Sequence, residues 1–212
     1  MKLNINFQQR TIFMAIFSAI INLAFIVYYS YLGLNFKDGF AIGISIYYFL
    51  LFLIKTITLL IERIIIKKDE NSKLDIRLKN YKISSIFIFV LDLCLIAPII
   101  LMVINPKEVS FGIIPAIAMA AYCVYKITIS IVGYRKSKKS NNPTIVLFKE
   151  INIIGAIVSI LTLQHTLIMV NSGMTSDMQT LSLYTSVAFI IVIISFSIIS
   201  FRKNQKLFNQ AK

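Results

Sequence analysis

Five side chains able to carry or exchange charge fall inside otherwise apolar stretches of this 212-residue chain: Lys55, Asp92, Lys126, Glu150 and His165. An ionisable group inside an apolar helix costs about 2.5 to 3.5 kcal/mol on membrane-insertion scales, so such groups turn inward and pair or mark an ion pathway. Lys55 stands eight residues before Arg63, and Lys126 nine before Arg135. At the helical rise both lie about 12 to 14 Å from a polar end. Asp92, ten residues past Lys82, lies about 15 Å from the same end. The shared depth predicts that Asp92 pairs with Lys55 or Lys126. Such a pair would either lock the helix order, with each lysine snorkelling toward the polar end, or form a polar centre for an ion, a proton or an anionic ligand. Glu150 is expected to partner the other lysine or to reach the interface near Lys149. His165, beside Gln164 and Thr166, reads as a residue hydrogen-bonded between helices, with a ligand or proton-relay role as the alternative.

No enzyme signature accompanies these groups. The chain has no HExxH, no P-loop, no GxSxG and no pair of carboxylates at a catalytic spacing inside an apolar run. Cys94 and Cys123 are isolated, without CxxC or zinc-type spacing, and read as small buried hydrophobes. The expectation is a non-enzymatic protein with no metal and no cofactor.

The elements that position these residues are membrane helices. Hydrophobic residues make up 58% of the chain and mean hydropathy is +0.80, well above the 45 to 50% apolar content of ordinary soluble domains. Six apolar runs, at about residues 11–32, 40–63, 83–104, 111–134, 145–170 and 178–201, are each long enough to cross a bilayer core. The fold class is therefore all-α: a polytopic membrane protein with six transmembrane helices in one bundle, the whole of 1–212 forming a single domain. The first run is longer than a signal-peptide core and ends in Tyr28-Tyr29-Ser30-Tyr31, as an interfacial aromatic belt would. It is expected to remain as the first span.

A formal charge of +13 would suit a nucleic-acid partner if the basic residues clustered on a soluble face. They sit between the spans instead. Eighteen of the 22 Lys and Arg fall in the first ten residues, the second and fourth connections and the tail, against Lys37 and Lys107 in the alternate connections. That asymmetry places both termini in the cytoplasm of a multi-pass cell-membrane protein, with an anionic inner leaflet as the partner of the basic face and no nucleic acid. Lys67 to Lys82 is the most polar segment and reads as the longest loop. Its Leu74, Leu78 and Tyr81 share one helical face, so it is either a basic helix lying on the leaflet or a solvated connector.

Other local signals concern packing. Gly39 and Gly43 form a GxxxG at the start of the second span, and Asn152, Gly155, Ala156, Ser159 and Thr166 give the fifth a small, polar stripe. Pro98 should kink the third span. Asn141-Asn142-Pro143 reads as a helix start, with Asn as cap and Pro at the first helical position.

The tyrosine pair Tyr47-Tyr48 with LLFLIK at 50–55, YCVYKITISIV from Tyr122 to Val132, the basic loop ending in Asn142-Pro143 and AIVSILTLQ from Ala156 to Gln164 carry a resemblance. In them the chain resembles an uncharacterised family of small six-span integral membrane proteins of low-GC Gram-positive bacteria. The resemblance implies a fold and a location, and no activity; His165 departs from it, standing where a small hydroxyl residue is expected. In size, charge and span number the chain is also similar to the substrate-binding subunits of energy-coupling-factor vitamin transporters. These dock their partner through an AxxxA in the first span, matched by Ala15 and Ala19. It lacks their long external loop.

The expected function is that of an accessory or regulatory membrane protein working with membrane-protein partners or as a homo-oligomer; the rival is a small-molecule or ion transporter subunit. The charge asymmetry yields a direct test. Reporter fusions should place the amino and carboxyl termini on the same, cytoplasmic side, and an external carboxyl terminus would refute the six-span topology.

Overall fold

A computed structural model describes residues 2–66, 70–104, 113–137, 142–170 and 176–210, with side chains described for 11–66, 73–104, 113–137, 142–170 and 180–202. Seven helices follow one another: α1 (Lys2–Phe36), α2 (Gly39–Ile65), α3 (Glu70–Cys94), α4 (Ile96–Ile104), α5 (Ile114–Ser137), α6 (Pro143–Val170) and α7 (Ser176–Gln210). No strand occurs among the described residues. Six stretches are long and apolar enough to cross a membrane, α3 and α4 together forming one of them from Lys73 to Ile104. The outer faces carry large exposed apolar side chains such as Phe13, Val27, Phe87, Ile117 and Ile199, a surface that water would not tolerate over this extent.

Three helix boundaries among the described residues have a local cause. α1 closes in a Schellman turn, with Lys37 left-handed at φ 51° and the Asp38 amide donating to the Gly33 carbonyl at 3.2 Å. Asp38 then caps α2, its Oδ1 accepting from the Phe40 amide at 3.1 Å. α3 ends at Cys94, the residue whose carbonyl the Pro98 ring would strike, since proline clashes four residues back. The ladder resumes with Ile99 donating to the Leu95 carbonyl at 3.2 Å. The kink expected at Pro98 is thus a break one turn earlier. It leaves Cys94 exposed, contrary to the expectation of a buried hydrophobe; Cys123 is buried as expected. Asn142 caps α6, accepting from the Thr144 amide at 3.0 Å, as the sequence indicates.

α6 is the central element. Of its most apolar window 61% is buried, against 44% for the next helix, and it touches α1, α2, α3, α5 and α7. Its small and hydroxyl residues permit this close surrounding. Ser159, Thr162 and Thr166 spend their hydroxyls on carbonyls of their own helix, at 2.6, 2.9 and 2.8 Å, so they enter the apolar interior already satisfied.

The basic segment Lys67–Lys82 differs from expectation. From Glu70 onward it is the first part of α3 and no loop, while 67–69 lie outside the described residues. Leu78 and Tyr81 are buried in the bundle and only Leu74 is exposed, so most of the apolar stripe is used in packing. Ala15 and Ala19 also face inward, at 2% and 6% exposure.

The GxxxG of α2 serves its approach to α4. A Cβ on Gly43 would lie 2.6 Å from Cβ of Pro98, whereas one on Gly39 would meet the flexible tip of Leu101 at 3.0 Å. Gly43→Ala should therefore cost about 1 to 3 kcal/mol of stability through overpacking against a rigid ring. Gly39→Ala should cost clearly less. Thermal melting of both variants in mild detergent checks the order, and equal losses would contradict the Gly43–Pro98 contact.

Candidate functional site

The predicted polar centre divides into separate sites. Asp92, 1% exposed, accepts from the Tyr47 hydroxyl of α2 at 3.1 Å and from Ser197 of α7. Among the described residues neither Lys55 nor Lys126 pairs with it, which corrects the expected ion pair. The register of α2 against α3 explains why. Arg77 of α3 binds Glu62 of α2 through two nitrogens, Nε at 3.1 Å from Oε2. Counting from that rung in antiparallel sense sets Asp92 opposite Tyr47 and Ser84 opposite Lys55, eight residues or about 12 Å away. The depth read from Lys82 fails because the polar end of α3 is helical and extends the register beyond that residue.

Glu150 is buried as well and accepts from the Tyr81 hydroxyl of α3, with O···O distances of 2.7 and 2.9 Å. Tyr81 enters as part of the stripe that sequence spacing marked, but nothing in the spacing shows which carboxylate it meets. Glu62 adds a third helix to its contact with Arg77, since Thr144 of α6 donates to Oε2 at 2.7 Å. In the sequence Glu62 falls at the end of the run 40–63, where nothing points to this α2–α3–α6 junction. The i, i+15 distance between Glu62 and Arg77 is no local motif, and no sequence signal marks the pair.

At the opposite end, His165 Nε2 lies 2.9 Å from Oδ2 of Asp38, and the imidazole stacks at 4.2 Å on Phe40. His165 thus joins α6 to the α1–α2 turn, as the inter-helix reading expects; Asp38 is the partner that the sequence does not name. Burial pushes the Asp38 carboxyl up, but the adjacent imidazole and the Phe40 and Ala41 amides outweigh it and hold the group below the ordinary carboxylate range. A lowered folded-state value means that the stabilisation is complete above about pH 4 and is lost as pH falls through that lower value.

The lysines occupy a different region. Lys55, 3% exposed, donates to Ser18 Oγ of α1 at 2.8 Å, and Ser18 donates on to Asn152 Oδ1 of α6 at 3.3 Å. Lys126 places its ammonium among the rings of Phe25, Tyr48 and Tyr122, at 5.9, 5.5 and 5.2 Å from their centroids. Its Nζ is buried and has no hydrogen-bond partner. It lies beside Gly155, where a Cβ would sit in ordinary contact 3.5 Å from Nζ. Neither lysine snorkels free of the bundle. Ser18 and Asn152 line the cavity at Lys126, and Ser18 also accepts from Lys55.

The chemistry available is therefore asymmetric. The carboxylates Asp38, Glu62, Asp92 and Glu150 hold helices together, while the lysine region is a positive site set in aromatic rings and short of acceptors. Among the described residues no three His, Cys, Asp or Glu side chains gather as a metal site requires. The chain matches no protein-family model, no curated protein and no solved structure.

This partition makes a prediction opposite to that of an ion pair. Asp92→Leu leaves the Tyr47 and Ser197 hydroxyls without their acceptor and should cost about 1 to 3 kcal/mol. Adding Lys55→Met or Lys126→Met should give no rescue, the losses adding to within about 0.5 kcal/mol, whereas Tyr47→Phe should couple to Asp92→Leu. Melting of the double mutants in detergent decides. Restoration of stability by either lysine change would bring back the ion pair.

Proposed function

We propose that this chain is a non-enzymatic accessory or regulatory protein of the cell membrane, akin to the six-span family its sequence resembles, with both termini cytoplasmic. The observation that carries the reading is the packed state of Asp92. A transport centre at that residue would need polar room around it, but Asp92 is enclosed by Tyr47 and Ser197. Glu62, Glu150 and Asp38 are likewise bound to other helices. Such groups favour a fixed bundle over one that rocks between two states. On this reading the basic cytoplasmic face, from Arg63 through Lys82 and again at Arg135-Lys136, meets the anionic leaflet and partner proteins.

The second reading is a small-molecule or ion transporter subunit, similar to the substrate-binding subunits of energy-coupling-factor transporters. One observation favours it: the Lys126 ammonium has no acceptor. The burial of Ala15 and Ala19 weighs against it, because an AxxxA that docks a partner has to face outward.

Affinity purification of the full chain in mild detergent separates the two. An accessory protein should bring down membrane-protein partners in fixed ratio, and lose them when Lys73, Lys79 and Lys82 are changed together to Gln. Co-purification of a nucleotide-hydrolysing transporter core, unaffected by those changes, would favour the transporter subunit.

A further inference from the structure

α1 packs on α2 and α6, and α5 on α6, so α1 and α5 stand on either side of α6 with a cleft between them. Three adjoining cavities run along it. The first, at the end carrying Lys136, is ≈ 210 Å³ and lined by Thr11, Thr128, Lys136 and Lys149. The second, ≈ 60 Å³, lies among Ser18, Lys126, Ser130 and Asn152. The third, ≈ 440 Å³, is walled by Ile21, Ala24, Phe25, Pro115 and Met119. Met14, Ile129 and Lys149 line both the first and the second; Ile21 and Tyr122 line both the second and the third. The cleft is thus polar and basic at one end, apolar at the other, with the unpartnered Lys126 ammonium where the character changes.

That ammonium indicates what the cleft takes. Three rings at 5.2 to 5.9 Å offset part of the charge, but their faces accept no conventional hydrogen bond and Nζ, with three donors, has no partner. Ser18 is already engaged by Lys55 and Asn152, and Ser130 donates to the Asn152 carbonyl at 3.1 Å. An anion is the missing acceptor. From Lys126 to Pro115 the α5 wall spans eleven residues, about 16 Å at the helical rise and roughly half of a 30 Å hydrocarbon core. Such a wall matches one extended alkyl chain.

We propose that the cleft between α1 and α5 binds a single-chain anionic amphiphile, its carboxylate or phosphate head on Lys126 beside Ser18 and Asn152, its chain along Ile21, Phe25 and Met119. A soluble anion would leave the apolar groove empty. An uncharged chain would leave the ammonium without an acceptor. An ordinary phospholipid with its phosphate at the membrane surface would lay hydrocarbon against Lys126, about 13 Å below Arg135. The site would serve an accessory protein and a transporter alike.

Native mass spectrometry of the full chain released from neutral phosphatidylcholine nanodiscs tests this, with oleate, 1-oleoyl lysophosphatidate, oleyl alcohol, phosphatidylglycerol, acetate and inorganic phosphate as probes. One oleate or one lysophosphatidate should bind per chain, at least about tenfold tighter than oleyl alcohol, and the stronger of the two identifies the head. Lys126→Met should weaken oleate by about the same factor, to the level of the alcohol, while Lys37→Gln, on the exposed surface and away from the cleft, changes nothing. Ala24→Trp, at an exposed position of the groove, should block oleate and leave the melting temperature unchanged, which decides the matter if Lys126→Met does not fold. Equal binding of oleate and oleyl alcohol, or oleate binding indifferent to both variants, would overturn the proposal. Binding of acetate or inorganic phosphate as tight as that of oleate would make the site one for soluble anions. Phosphatidylglycerol bound as tightly as oleate and insensitive to Lys126→Met would make it an annular lipid contact.

Discussion

A carboxylate inside an apolar bundle has no water to turn to, so it must take its hydrogen bonds from another helix, and this requirement sets the arrangement of the chain. Glu62 draws donors from α3 and α6, Asp92 from α2 and α7, and Glu150 from α3. Asp38 draws on α6. Most of these links join helices that are not consecutive in the chain. Leaving any of these acceptors unpaired costs more than a satisfied bond contributes, so the links penalise alternative helix orders and registers that nonspecific apolar packing would allow.

The same requirement explains why Asp92 and Glu150 take hydroxyls in place of lysines, while Glu62 faces both the Arg77 guanidinium and a hydroxyl. A neutral donor at hydrogen-bond distance satisfies a buried carboxylate without bringing a second ion out of water, and the desolvation of two charges can exceed their attraction. Tyr47, Ser197, Tyr81 and Thr144 supply such donors from neighbouring helices. The lysines are left to the opposite flank of α6. There Ser18, Asn152 and three aromatic rings accommodate them. Within the spans, Glu62, Asp92 and Glu150 thus bond toward α3 and α7, and Lys55 and Lys126 lie toward α1 and α5.

Much of the fold was legible in the residues. Six apolar runs gave six membrane-length helices, because length and hydropathy alone determine whether a helix can span a bilayer. Asn142-Pro143 started α6, since capping is a local hydrogen bond. The break before Pro98 was legible in kind and misplaced by a turn. Lys55, Asp92, Lys126, Glu150 and His165 were all identifiable, because a charged residue in an apolar run is conspicuous on its own. The pairing among them was not: it depends on register, and the register is set by Glu62 with Arg77, a contact that no local pattern marks.

The sequence by itself determined the all-α class of the molecule, the number of its membrane-length stretches and which polar groups they carry, since these follow from hydropathy and helical rise. Only the tertiary structure decided which groups meet. Rotation and sliding of one helix against another leave its own hydropathy unchanged, yet a shift of eight residues moves Asp92 from Lys55 to Tyr47, about 12 Å along the axis. The aromatic surround of Lys126 is likewise built from α1, α2 and α5, three helices whose convergence exists only after packing.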